Sequence, residues 1–345
     1  MNRSSETKRL LLVYDVEGWA WHRRALDLLK SAPAGSELAA VSAAEYAALP
    51  EVELARFDAL FLCSWSADPR RFAGRKVCLV ANHGIEFDPW PCRLPGHGGA
   101  CDHRGHDWRA VCATPRRNRR EAARRLPGFD GVIALNRELA ASAAQLNPRT
   151  RFLPTGIDGE VFAPRSVPRA DPSQKLRVGW CGQRVAGEPN QKGYDWVLAP
   201  VRERCAGFCD FLVNARGHSE ALGREEMVTW YDGIDVFLCT SISEGTPTTA
   251  MEALSCGRPV VSTAVGEMPV LVEDGRTGFL TGTYRDADSA ATVIDRMCGA
   301  LRRVHQDRGL LRHMGFQSRV VMRMKRNWDS LANQWLRYIA GDRSC

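Results

Sequence analysis

The chain reads as an α/β protein made of two parallel-sheet domains, and three observations predict this. Its 345 residues exceed what one compact core usually needs and suit two. Continuous apolar runs, such as Arg9–Tyr14 and Val77–Ala81, alternate with helical or turn segments. That pattern marks strands buried on both faces. Finally, Pro164, Pro168 and Pro172, with Ser and Asp between them, punctuate the middle of the chain and predict a linker near 164–174.

Taken in order, Arg9–Tyr14 is the first expected strand, followed by a helix from about Trp21 to Lys30. Ala59–Cys63, Val77–Ala81 and Gly131–Leu135 are the next strands. After the linker, Leu176–Trp180 opens a second set, continued by Phe211–Asn214, Val236–Leu238 and Pro259–Val261. Two open sheets of this kind are expected to face one another across a cleft lined by the C-terminal ends of their strands. No internal repeat or low-complexity tract interrupts the pattern.

Composition narrows the class. A hydrophobic fraction of 44% and a charged fraction of 25% exclude a disordered or membrane-embedded chain. The early apolar run Leu10–Tyr14 stops at Asp15, too short for a signal-peptide core or a span, so a cytoplasmic protein is expected. The 12 cysteines are scattered, several inside apolar strands (Cys63, Cys78, Cys239), and read as reduced and mostly buried.

The richest stretch runs from Ser243 to Val261. Glu244 and Glu252 stand eight residues apart, the second inside a short helix that follows a strand and a tight turn. Gly245 and Pro247 shape the turn, and Thr248 or Thr249 is the expected N-cap. Unpaired N–H groups at the helix start face an anion. Gly257 and Pro259 end the helix. A phosphate-binding helix start with an acid on each side suits a nucleotide sugar: the helix takes the diphosphate and the carboxylates take hydroxyls.

This segment resembles the E-x7-E element of retaining glycosyltransferases of family 4, which have the GT-B fold. Upstream, Trp230-Tyr231-Asp232-Gly233-Ile234-Asp235 leading into Val236–Ser241 is similar to the family's aromatic, Ala-Asp and apolar-strand lead-in. Downstream, Gly266-Glu267-Met268-Pro269 and Asp274-Gly275-Arg276-Thr277-Gly278-Phe279-Leu280 resemble its following turns. Phe152–Pro164 is similar to the crossing between domains, and Asn327-Trp328 to the start of a final helix that returns to the first domain. The resemblance covers most of the chain, densely over 230–280 and thinly before 130. It implies an N-terminal acceptor-side domain over 1–165, a nucleotide-sugar-binding domain over 176–326 and a returning helix over 327–340.

The resemblance also implies roles. Glu252 would bind the ribose hydroxyls, and Glu244 would lie near the donor sugar. Gly245, Thr246, Pro247, Thr248 and Thr249 would offer donors to diphosphate and sugar. Lys192, followed by Gly193, would meet the diphosphate and stabilise the departing nucleotide. Its usual partner is an arginine directly after a glycine. Here Gln183 intervenes between Gly182 and Arg184, so Arg184 is the expected partner in altered spacing. His83 matches a histidine set against the transferred sugar. Gly18 occupies the loop after the first strand, where the family usually has two glycines and this chain has one. The implied reaction moves a sugar from a nucleotide sugar to a carbohydrate, lipid-linked or small-molecule hydroxyl, with no cofactor and no metal. The alternative is a nucleotide-sugar-binding or scaffold module that has lost transfer.

Other signals are weaker. Asp286-Ala287-Asp288 imitates a metal-binding D-x-D by chance, and the run Cys92, His97, Cys101, His103, His106 and Cys112 fits no compact zinc spacing. No Walker loop or G-x-G-x-x-G loop is present. Charge is uneven: Arg104–Arg125 holds eight arginines against two acids, and Arg302–Arg326 eight basic residues against one. Two readings stand side by side, a surface meeting an anionic membrane or a phosphate-bearing acceptor, and a solvated helix face. No nucleic-acid recognition motif accompanies the charge.

Overall fold

The computed structural model describes residues 8–18, 20–81, 118–183, 191–216, 222–284 and 287–342, with the backbone of 102–103 and 106–107. These residues form two compact units. One holds the described residues through Ala81, then 118–156 and again from Trp328; the other holds Ile157–Asn327 together with the short pairing at 102–107.

The first unit carries a six-stranded sheet in the order β2-β1-β3-β4-β7-β8. Its strands are β1 (Arg9–Tyr14), β2 (Glu37–Ser42), β3 (Ala59–Leu62), β4 (Arg75–Val80), β7 (Gly131–Ala134) and β8 (Thr150–Phe152). The two-residue strands β5 (Asp102–His103) and β6 (His106–Asp107) pair separately and antiparallel. Every pairing within the six-stranded sheet is parallel. The central strands β3 and β7 are buried at all four positions, as continuous apolar runs require. Helices α1 (Ala20–Lys30), α2 (Ala43–Ala48), α3 (Glu51–Leu54) and α4 (Arg137–Ala144) accompany it.

The second unit carries a five-stranded parallel sheet, ordered β10-β9-β11-β12-β13. Its strands are β9 (Leu176–Gln183), β10 (Cys209–Arg216), β11 (Val236–Cys239), β12 (Val260–Ser262) and β13 (Gly278–Leu280). Helices α5 (Ala199–Cys205), α6 (Arg224–Asp232), α7 (Thr248–Ser255), α8 (Met268–Leu271), α9 (Ala287–Gln306) and α10 (Arg308–Lys325) connect or cover them. Buried Asp235 fixes the register at the centre. It accepts from the backbone N–H of Arg177 (2.9 Å) and of Arg169 (3.1 Å) and pairs with both guanidiniums. Burial pushes its carboxyl up, but these bonds outweigh it and hold the pKa below the usual aspartate value.

The last helix, α11 (Trp328–Ala340), belongs to the first unit. Trp328, Trp335 and Ile339 join that unit's core, and Trp335 stacks edge-on against Phe61 at 5.9 Å. Its indole N–H donates to the Pro154 carbonyl (2.8 Å), and the Tyr338 hydroxyl accepts from Val132 N–H (3.1 Å). The helix thus returns as the Asn327-Trp328 resemblance implied.

Besides the two-residue β5 and β6, three strands of the parallel sheets escape the sequence reading, β2, β8 and β13. β2 and β8 are edge strands with mostly half-buried residues, and β13 has three residues, so none shows a long apolar run. Eight described cysteines are buried, and no disulfide joins them. No helix among the described residues is long and apolar enough to cross a membrane.

Candidate functional site

Strand β11 delivers the chain into a loop, 240–247, that a second loop underlies. Trp180 Nε1 donates to Thr240 Oγ1 (2.9 Å), and that hydroxyl donates on to the Lys192 carbonyl (2.6 Å). Ile242 N–H reaches the Gln191 carbonyl (2.9 Å), and the Gln191 amide reaches the Ser243 carbonyl (3.2 Å). Tyr284 OH closes the far side on the Thr240 carbonyl (2.7 Å). Gly193 sits at φ +68° where any Cβ would overlap Thr240 O and Tyr284 OH, so only glycine lets the loops approach.

That lacing brings two sequence-predicted residues into contact. Lys192 Nζ forms an ion pair with Glu244 Oε1, and Ser241 Oγ donates to the same oxygen (2.7 Å). Glu244 is buried, and Lys192 keeps about a third of its side chain exposed (32%). Burial opposes the lysine's charge, but Glu244 beside it wins and raises its pKa above the usual value. A cation therefore stands at the loop next to the turn.

The turn 244–247 leads into α7. The expected threonine cap is not found: Pro247 is the N-cap, without a side-chain bond, and Thr248 and Thr249 lie in the first turn. Proline fits because a cap position needs no donated N–H, and its ring fixes φ near the observed −73°. A helix start without a side-chain cap leaves its N–H donors to other partners. Thr248 Oγ1 donates to the Thr246 carbonyl at 3.4 Å. Thr246 Oγ1 is buried and has no hydrogen-bond partner among the described residues. Such a hydroxyl costs free energy unless a ligand or water meets it.

A further loop supports the turn from behind. Gly266, at φ +54°, lies so near that a Cβ there would stand 2.5 Å from the Gly245 carbonyl oxygen and 3.0 Å from that of Glu244. Thr263 Oγ1 donates to the Ser241 carbonyl (2.6 Å).

Glu252, one helical turn into α7, is buried rather than solvated. The Tyr231 phenol shares its proton between Glu252 Oε2 (2.8 Å) and the Thr249 carbonyl (2.9 Å). Burial, then the Glu252 charge, raise the Tyr231 pKa well above the usual phenol value, so it stays a donor. Tyr231→Phe keeps the ring's packing on Phe162 and Phe237 and removes the bonds to Glu252 and the Thr249 carbonyl. It is expected to lower the stability of the second unit by about 1.5–3 kcal/mol, the worth of a bond to a charged group. Denaturant unfolding of the variant checks this; unchanged stability would show that the phenol does not hold Glu252.

The structure thus gathers Lys192, Glu244, Gly245, Thr246, Pro247, Thr248, Thr249 and Glu252 within the second unit. Gly18 lies in the first, in a left-handed turn whose N–H donates to His22 Nδ1 (2.8 Å). His83 and Arg184 lie outside the described residues, as do Asp286, the side chain of Asp288 and the side chains of the Cys/His run. Among the described residues no group of three or more His, Cys, Asp or Glu could hold a metal ion. Sequence reading missed Tyr231, Ser241, Gln191 and Tyr284 as site residues. Only Tyr231, in the aromatic lead-in to β11, carried a signal, and its target was not legible.

Comparison with known proteins follows this geometry. Residues 176–299, most of the second unit, match the family described as glycosyl transferases group 1. The D-inositol 3-phosphate glycosyltransferase of Arthrobacter sp. (strain FB24) is 30% identical over 195 residues, which is 47% of this chain and 46% of that protein. The protein of the same name from Mycolicibacterium smegmatis is 42% identical over 83 residues, 23% of this chain and 19% of the relative. The similarity therefore spans less than half the length of these curated relatives. Sucrose-phosphate synthase from Thermosynechococcus elongatus superposes with a TM-score of 0.66 at 15% identity, over 96% of this chain and 98% of that one. Anabaena HepE, solved in complex with UDP and glucose, gives 0.64 at 12%, over 97% and 100%. The chain has the GT-B class of fold that the sequence predicts.

Proposed function

We propose that this chain is a retaining glycosyltransferase that moves a sugar from a nucleoside-diphosphate sugar to a hydroxyl acceptor. The observation that carries the reading is the cluster at the start of α7: the Lys192 cation against Glu244, the unpartnered Thr246 hydroxyl, and buried Glu252 held by Tyr231. A nucleoside-diphosphate sugar supplies both kinds of partner, phosphate oxygens for Lys192 and Thr246 and hydroxyls for Glu244 and Glu252. The name of the Arthrobacter relative supports glycosyl transfer, and the UDP and glucose bound to HepE support a nucleoside-diphosphate-sugar donor.

In this reading the helix start and Thr246 hold the diphosphate, and Glu252 anchors the ribose. Glu244 orients the sugar, a role the resemblance also gives to His83. Lys192, with Arg184, stabilises negative charge as the bond between the anomeric carbon and the phosphate oxygen breaks. The acceptor oxygen bonds to that carbon on the same face, and its proton passes to the departing phosphate. Positioning and leaving-group stabilisation supply the rate, and no step is assigned to a metal ion. A carbohydrate, a lipid-linked saccharide or a small metabolite serves as acceptor, in glycan, glycolipid or envelope polysaccharide synthesis. An acceptor carried on lipid would be met at the anionic face of a membrane, on the cytoplasmic side.

Thermal-shift screening against nucleotides and their sugar conjugates tests the donor site. A ligand at roughly 100 times its Kd adds about 2.7 kcal/mol to the folded state. A raised melting temperature with UDP, GDP or a conjugate supports the reading, and a panel with no response contradicts it. One observation favours a second reading, a binding module without transfer: the Gly18 N–H is already engaged by His22. Donor hydrolysis without acceptor separates the two, because a binding module shifts its melting temperature and hydrolyses nothing.

A further inference from the structure

The basic run 302–326 looks uniform in sequence, and the structure divides it. Arg302 lies over the Phe208 ring at 4.9 Å and Arg303 over Phe279 at 5.3 Å. Buried Arg308 donates to the Gln174 carbonyl (2.7 Å). Arg319 donates to the carbonyls of Phe162 (2.9 Å) and Gly159 (2.6 Å), and Arg326 pairs with buried Glu267. Arg308, Arg319 and Arg326 are thus engaged inside the unit, while Arg302 and Arg303 stay exposed over their rings. Arg312, Arg323 and Lys325 remain exposed on α10, with His313.

What accompanies them is apolar. Phe316 is 67% exposed and Met324 76%, among the most exposed large hydrophobic side chains of the described residues. At 100° per residue, Arg312, Phe316, Val320, Arg323 and Met324 share one side of the helix. Leu311, Met314, Ser318, Val321 and Met322 face the core. The whole of α10 contains no acid. Asp307 caps its start through Leu310 N–H, and Glu273, on the neighbouring turn, is paired with Arg276. Arg323 presses its charge on Arg319, a like-charge pair that water alone screens.

We propose that this face of α10 docks on an anionic phospholipid surface. Phe316 and Met324 would enter the headgroup–acyl boundary, and Arg312 and Arg323, on the same side of the helix, would meet the phosphates. An exposed aromatic and thioether flanked by cations with no acid is the pattern of an interfacial helix. Charge complementarity favours lipid over a protein groove, because the cations ring the apolar side chains on a convex helix face. The inference goes beyond the donor reading and stands on different side chains.

Vesicle co-sedimentation tests it, with phosphatidylcholine alone and with about a third phosphatidylglycerol. The full chain is expected to sediment with the anionic vesicles only, less as salt rises. Arg312→Glu with Arg323→Glu should weaken binding at least about tenfold, since each basic residue near such a surface contributes about a factor of five. Phe316→Ser with Met324→Ser should weaken it on the same vesicles. Both pairs should keep the wild-type melting temperature and donor hydrolysis in solution. If a pair lowers the melting temperature, Arg312→Gln with Arg323→Gln replaces it. Equal binding to neutral vesicles, no binding, binding of DNA in place of vesicles, or wild-type affinity in the arginine variants would overturn the proposal.

Discussion

Lys192→Ala is expected to slow donor turnover by about 10²–10³-fold while leaving nucleotide affinity much less affected. The argument rests on when the charge matters. In the donor-free protein Lys192 already has a carboxylate, Glu244, so bringing a diphosphate to it exchanges one anion for another. The gain comes as the sugar–phosphate bond breaks and negative charge grows on the leaving group, which is an interaction made in the transition state. Removing the cation leaves Glu244 with the Ser241 hydroxyl (2.7 Å), so the turn keeps a partner and its shape. Steady-state hydrolysis and transfer, alongside calorimetric titration, separate the two effects. An unchanged kcat, or a loss confined to KM, would remove Lys192 from the chemistry.

The second large effect is on the fold beneath the site. Arg326→Ala should destabilise the second unit by about 3–5 kcal/mol, because it removes the guanidinium that pairs with the carboxylate of Glu267, which is 1% exposed. Glu267 is also the N-cap of α8 and directly follows Gly266, whose backbone supports the 244–245 carbonyls. The same substitution should therefore lower nucleotide affinity in the fraction that folds. Replacing both partners, Arg326→Met with Glu267→Gln, should recover much of the stability, since no buried charge is then left alone. Denaturant unfolding of the single and double variants checks this. Equal losses in both would mean that side-chain volume, not the ion pair, matters.

These two residues show what a sequence can and cannot disclose. Long apolar runs made β1, β3, β4, β7, β9 and β11 legible, because a buried parallel strand cannot look otherwise. Edge strand β2, with its half-buried alanines, sends no such signal. Glu244 and Glu252 were legible from their setting around a turn and a short helix. Their partners were not: Lys192 lies 52 residues from Glu244, and Tyr231 lies 21 from Glu252. Pairings over such separations are decided by sheet order, which the chain does not spell out locally. The Pro247 cap was missed because threonine's capping preference outweighed proline's fixed φ in the reading. In the 302–326 run, counting charges could not tell which residues packing engages: Arg308, Arg319 and Arg326 are drawn into the unit, and the other five basic residues stay exposed.

Hydrogen–deuterium exchange on the full chain, with and without a saturating nucleoside diphosphate, tests the central claim most directly. Slowed exchange concentrated in peptides covering 191–193 and 243–252 is the predicted result, because the ligand would occupy the N–H donors at the start of α7. Bound nucleotide that leaves those peptides unprotected, or protects a different part of the chain instead, would contradict it.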